Sequence, residues 1–185
     1  MGLKDDSLEG GVIPLCSALA AQEHGDARRA LDLLRISVQK AEQRSQTKVD
    51  PKHVRLAQSQ LEHDQVTPVL KTLPLHQKLV LFCIIINEEN GLRNICTGEI
   101  FRTYSQACMK ISIEPLTPRR ISSLLNELDT LGLIMARPVS KGRGGRSKEV
   151  NSALPKTIDS IKILSQNDPQ IDEAAQGKYM LQGKL

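Results

Sequence analysis

The chain has 185 residues, of which 39% are hydrophobic, 25% charged and 2% aromatic, and its formal net charge is +4. That length suits one domain or two small ones and is short for an enzyme built on a large α/β sheet, while the composition excludes wholesale disorder and fibrous repeats. The longest apolar run, Leu79 to Ile86, is too short to cross a bilayer and no secretory-type leader opens the chain, so the sequence reads as soluble and intracellular.

The excess charge is localised. Residues 1 to 73 balance to zero, whereas Ile134 to Val150 holds Arg137, Lys141, Arg143, Arg146 and Lys148 against Glu149 alone, an excess equal to that of the whole protein. A concentrated basic loop on a neutral body is the footprint of a polyanion-binding element, or else of a solvated loop. Phe82, Phe101, Tyr104 and Tyr179 are the only aromatic rings besides the histidines. Too few rings remain for a base-stacking platform, which favours duplex over splayed single strands. Cys16, Cys83, Cys96 and Cys108 lack CxxC spacing, and His24, His53, His63 and His76 are scattered. Reduced thiols in a cytosol-like compartment are expected, with no zinc site.

Ile13 to Glu23 reads as a first helix closed by Gly25, after which Asp26 caps a second. In that second helix Ala27, Ala30, Leu31, Leu34, Val38 and Ala41 recur at helical spacing and are expected to face a core. Asp50-Pro51 starts a third helix carrying Val54, Ala57 and Leu61, and Thr67-Pro68 starts a short helix or turn ending near Pro74. The stretch from Leu15 to Glu42, with its GDARRAL segment at Gly25 to Leu31, resembles the lid of AAA+ ATPases, most closely that of archaeal origin-recognition and cell-division-cycle type DNA replication initiators. The resemblance implies that Arg28 is the sensor 2 arginine that reaches the nucleotide phosphates. An arginine in the first turn of a helix offers a permanently charged fork suited to that role. The sequence contains no GxxxxGK[ST] phosphate loop and no apolar strand ending in paired acids for magnesium. The expectation is therefore the C-terminal part of a longer initiator. This chain alone would be no enzyme and would hold no cofactor, while ATP or ADP and magnesium are implied for the full-length protein.

In the second module, Leu75, Leu79, Phe82, Cys83 and Ile86 mark one face of a helix ended by Asn90-Gly91. Thr97 is the expected N-cap of a helix with Ile100, Tyr104, Cys108 and Met109 inward, and Thr117-Pro118 opens another. In that helix Ile121, Leu124, Leu125, Leu128 and Leu131 form the buried stripe, leaving Arg119, Arg120, Ser122, Ser123, Asn126 and Thr130 outside. Arg and Asn pair bidentately with guanine and adenine, small side chains let a backbone approach base edges, and Glu127 and Asp129 would repel phosphate. Leu133 to Val139 and Glu149 to Leu154 read as antiparallel strands around a glycine-rich tip, Ser140 to Lys148. Helices followed by a basic hairpin make a winged helix. A last helix is expected from Thr157 to Leu164, with a polar, mobile tail beyond it.

The fold class is thus mainly α, with a helical AAA+ lid at 1–72, a winged-helix DNA-binding domain at 73–165 and a tail at 166–185. The winged helix also resembles the C-terminal domain of the archaeal initiators. That similarity implies double-stranded origin DNA as partner, with Arg119, Arg120, Ser122, Ser123, Asn126, Lys141, Arg143, Gly144, Arg146 and Lys148 as contacts. It further implies a replicative helicase or another initiator subunit as protein partners, and a cytoplasmic, nucleoid-associated location. The competing readings are a winged-helix transcription regulator and a winged-helix protein-interaction module.

Overall fold

The computed structural model describes residues 7–22, 26–140, 146–156, 158–166, 168–177 and 179, with the side chain of Arg146 excepted. Two compact units divide between Gln65 and Val66. In the first, helices α1 (Val12–Gln22), α2 (Ala27–Gln43) and the greater part of α3 (Pro51–Thr72) enclose a core of Val12, Cys16, Leu33, Ile36, Ala41, Val49, Val54 and Ala57. Asp26 caps α2 by accepting the Arg28 N–H at 2.9 Å. Asp50 accepts the His53 N–H at 3.0 Å, and the His53 ring returns the bond through Nδ1 to the Asp50 N–H at 3.2 Å, a capping box with histidine as the third helical residue.

Two expectations for this unit need correction. The stripe of α2 is rotated, since Leu33, Ile36, Ser37 and Ala41 are buried and Leu31 is 65% exposed. Leu31, Leu33, Leu34, Ile36 and Val38 put apolar groups on more than one face, so periodicity alone does not select the face that packs. The separate element at Thr67-Pro68 is absent, because α3 continues through Pro68. Proline removes one backbone hydrogen bond, and Val66, Val69, Leu70 and Leu73 pack into the core of the second unit. Their burial moves the boundary of the second unit forward to Val66 from the expected 73.

The second unit is built around α4 (Leu75–Glu89), which buries Gln77 to Ile84 without a break. It is a central helix apolar on nearly every side, rather than the one-faced helix expected. Around it lie β1 (Ile95–Cys96), α5 (Thr97–Lys110), α6 (Pro118–Thr130), β2 (Ile134–Ser140), β3 (Arg146–Ser152), α7 (Ser160–Ser165) and α8 (Pro169–Ala175). The antiparallel sheet has the order β1-β3-β2, with Ile95 opposite Val150 and Ile134 opposite Ser152. Pro138 lies on β2, at an edge, where its missing N–H interrupts no second ladder. The hairpin is longer than expected, since Arg146, Ser147 and Lys148 belong to β3 and not to the tip. Cys96 caps α5 in place of Thr97, Met109 is 71% exposed and Leu131 forms the C-cap of α6 at 49% exposure.

Polar groups in this unit are tied down. The Tyr104 hydroxyl accepts the Leu116 N–H at 3.1 Å and shares a hydrogen bond of 2.7 Å with His76 Nδ1. Burial pushes the Tyr104 hydroxyl above its ordinary range and the His76 imidazole below its own, which keeps both neutral. This pair fixes the chain one residue before the N-cap of α6. Past Asn167, where the sequence suggests only a polar tail, α8 buries Ile171 and Ala174 in the core. Asp168 at its start accepts Lys78 Nζ at 3.2 Å, and Tyr179 packs edge-on against Phe82 with 5.8 Å between ring centroids. Seven helical residues with two buried positions give too weak a period to be seen in the sequence alone. Among the described residues no helix is long and apolar enough to cross a membrane.

Ile171→Ala should cost the second unit about 2–5 kcal/mol in urea unfolding, as a core truncation does, against less than about 0.5 kcal/mol for a residue in a free tail. His76 is held neutral in the folded chain but protonates more readily when unfolded, so stability should fall as pH drops below about 6.5. Thermal melts of wild type and His76→Gln between neutral and mildly acidic pH should show the slope flattening in the variant.

Candidate nucleic-acid interface

Helix α6 owes its position to two local facts. Thr117 accepts the Arg120 N–H through Oγ1 at 3.3 Å and Pro118 occupies the first helical position, so the start is sharply defined. Ile121, Leu124, Leu125 and Leu128 are buried, which forces Arg119, Arg120 and Asn126 to the exposed side and leaves Ser122 and Ser123 half-buried. The two serine hydroxyls donate to Pro118 and Arg119 carbonyls at 3.1 and 3.4 Å. Their protons are therefore spent within the helix, and each retains lone pairs that accept from a base or sugar.

The acidic residues expected to repel phosphate are both occupied. Glu127 Oε1 accepts Arg120 Nη1 at 3.1 Å, while its Oε2 accepts Gln77 Nε2 from α4 at 2.5 Å. Asp129 Oδ1 accepts the Ala136 N–H at 3.0 Å and so fastens the end of α6 to β2. Asn126 Oδ1 accepts Lys148 Nζ, joining the helix directly to β3 of the hairpin. These two sequence-expected residues are therefore brought together, whereas Arg119 stands apart at the N-terminal turn.

The hairpin is anchored at its base from three sides. Thr97 Oγ1 accepts the Lys148 N–H at 3.3 Å, Asn94 and Asn151 bond each other at 2.9 and 3.0 Å, and Glu88 Oε1 accepts the Ser152 N–H at 2.7 Å. Asn94 adopts φ +50°, a left-handed conformation that asparagine tolerates better than most residues. Sequence reasoning missed Gln77, Asn94 and Asn151, because their partners lie fifty or more positions away. Lys141, Arg143 and Gly144 lie outside the described residues, and Arg146 is placed only by its backbone opposite Ser140. Arg28 is in the first turn of α2 with its side chain exposed.

Comparison with known proteins agrees with both units. Residues 1–59 match the family model described as Cdc6 AAA+ ATPase-type lid domain, and residues 68–159 match CDC6, C terminal winged helix domain. The ORC1-type DNA replication protein of Thermococcus onnurineus is 49% identical over 164 residues, covering 89% of this chain and 39% of that protein. The corresponding protein of Pyrococcus abyssi is 54% identical over 143 residues, covering 77% of this chain and 34% of the relative. The chain thus spans well under half the length of these relatives. Among solved structures, the Aeropyrum pernix ORC1 protein in complex with DNA superposes with a TM-score of 0.79 at 43% identity, over 91% of this chain and 44% of that one. With the lid and the winged helix matched in the same order, the chain belongs to the ORC1/Cdc6 family of DNA replication proteins.

Proposed function

We propose that this chain binds double-stranded origin DNA, with the first two turns of α6 in the major groove and the β2–β3 hairpin along the neighbouring backbone. The observation that carries the reading is the exposed N-terminal face of α6, which includes Arg119, joined through Asn126 and Lys148 to the most basic segment of the sequence. A helix of 13 residues rises about 20 Å, enough to lie in a major groove. Support also comes from the DNA held by the similar Aeropyrum pernix ORC1 protein. Arg119 is suited to a base edge or phosphate, Ser122, Ser123 and Asn126 to base edges, and Lys141, Arg143, Arg146 and Lys148 to phosphates, with Gly144 permitting close approach.

The wider role proposed is replication initiation, in which a longer protein uses ATP as a conformational switch for origin recognition and helicase loading, in the cytoplasm on the nucleoid. Of the nucleotide machinery this chain offers Arg28, whose exposed guanidinium in a capped first turn fits a phosphate. The role proposed would also call for magnesium beside the nucleotide; among the described residues no cluster of His, Cys, Asp or Glu could hold a metal ion. A replicative helicase or a second initiator subunit is the protein partner this role calls for.

If about three to five cations meet phosphates, log affinity for duplex should fall against log salt with a slope of roughly −3 to −4.5. Changing Arg143 and Arg146 to alanine should make that slope shallower by about 0.9 for each phosphate no longer neutralised, and an unchanged slope removes the hairpin from the interface. Arg119→Ala should cost roughly 1–3 kcal/mol on an origin duplex if it pairs with a base, and weaken origin and scrambled duplex equally if it touches only phosphate.

A further inference from the structure

Arg119 and Arg120 are neighbours at the start of α6 but are held differently. The Arg119 guanidinium has no ion-pair partner among the described residues, whereas Arg120 is drawn along the helix to Glu127, two turns away. Seven residues correspond to roughly 10 Å of helix, so the Arg120 chain must extend toward the C-terminal end to make this bond. An exposed pair of this kind is ordinarily weak, because both long side chains must be ordered to form it. Here one partner is already ordered. The second Glu127 oxygen is bonded to Gln77, which is only 9% exposed and lies in the first turn of the central helix α4. The carboxylate is thereby a fixed acceptor beside the groove-facing surface of α6.

We propose that Glu127 competes with the DNA backbone for the Arg120 guanidinium and so restrains binding to duplex of arbitrary sequence. The proposal rests on the reading that α6 meets DNA. To reach a phosphate Arg120 would have to exchange one anion for another and leave Glu127 unneutralised against the polyanion, so at an arbitrary site it stays on the carboxylate. Guanine O6 and N7 would draw the same fork away from Glu127 at the same cost, so the restraint acts on any duplex. Glu127 is in this sense a restraint on binding, with Gln77 as its positioning partner.

The test is a titration of a fluorescent random-sequence duplex at several salt concentrations with wild type, Glu127→Gln, Arg120→Ala and the double variant of this chain. Glutamine at 127 keeps an acceptor for Gln77, and a thermal melt of each variant checks that the fold is intact. Glu127→Gln should tighten binding roughly two- to five-fold, the span expected for releasing an exposed ion pair, and steepen the salt slope by about 0.9. In the Arg120→Ala background the same change should give a clearly smaller gain, that of removing one carboxylate charge, and leave the salt slope unchanged. An equal gain in both backgrounds would mean that Glu127 acts only through its charge, and no gain in either would mean that it does not compete; both outcomes overturn the proposal. Failure of wild type and all variants to bind any duplex removes the DNA reading itself, and the proposal with it.

Discussion

The burial of one apolar stripe governs the functional surface. Ile121, Leu124, Leu125 and Leu128 lie in the core beside the central helix α4, and each such side chain contributes about 1.5–3 kcal/mol by leaving water. A helix held this way has no freedom to rotate, because turning it would expose leucine and bury arginine. The outward orientation of Arg119, Arg120 and Asn126 is therefore a consequence of the core and not of any local preference of those residues. The Tyr104 hydroxyl, which holds the Leu116 N–H, then fixes where the helix begins, and Asp129 fastens its far end to β2.

Electrostatics refine what packing has placed. The net positive charge sits on the hairpin, but the carboxylates nearest to it are not left to repel a polyanion. Asp129 is satisfied by a backbone N–H, and Glu127 is divided between a buried amide and a neighbouring guanidinium. The hairpin itself is seated by Thr97, Asn94 and Glu88, all of which hold β3 rather than the edge strand β2. The base of the hairpin is held by short polar bonds to α4, the start of α5 and the residue before β1. The lid presents Arg28 in the first turn of a capped helix, the position from which the proposed phosphate contact would be made.

Much of this is legible in the sequence where one strong local signal suffices. Thr117-Pro118 followed by leucines at helical steps locates α6 to within a residue, and the glycine-rich basic run locates the hairpin. The lid motif and the order of the two modules point to the family that the comparisons then give. What cannot be read depends on tertiary partners. The face of α2 is ambiguous because five large apolar residues crowd more than one side of it, and α4 resembles an amphipathic helix until the elements that surround it are known. Helix α3 crosses a Thr-Pro start signal because packing of Val66, Val69 and Leu70 outweighs one missing hydrogen bond. Helix α8 is invisible because it is short and exists through Ile171, Ala174 and the Lys78–Asp168 pair. At the candidate site the exposed cations are identifiable by type, yet the bonds Gln77–Glu127 and Asn126–Lys148 join residues with no periodic relation.

The most direct measurement is a map of backbone amide shifts of the isotopically labelled chain as duplex DNA is added. The largest changes should fall on residues 118–126 and on the hairpin from 140 to 148, with α8 and the interior of α4 nearly still. Changes confined to other surfaces, with α6 and the hairpin unmoved at saturation, would contradict the assignment of this face to DNA.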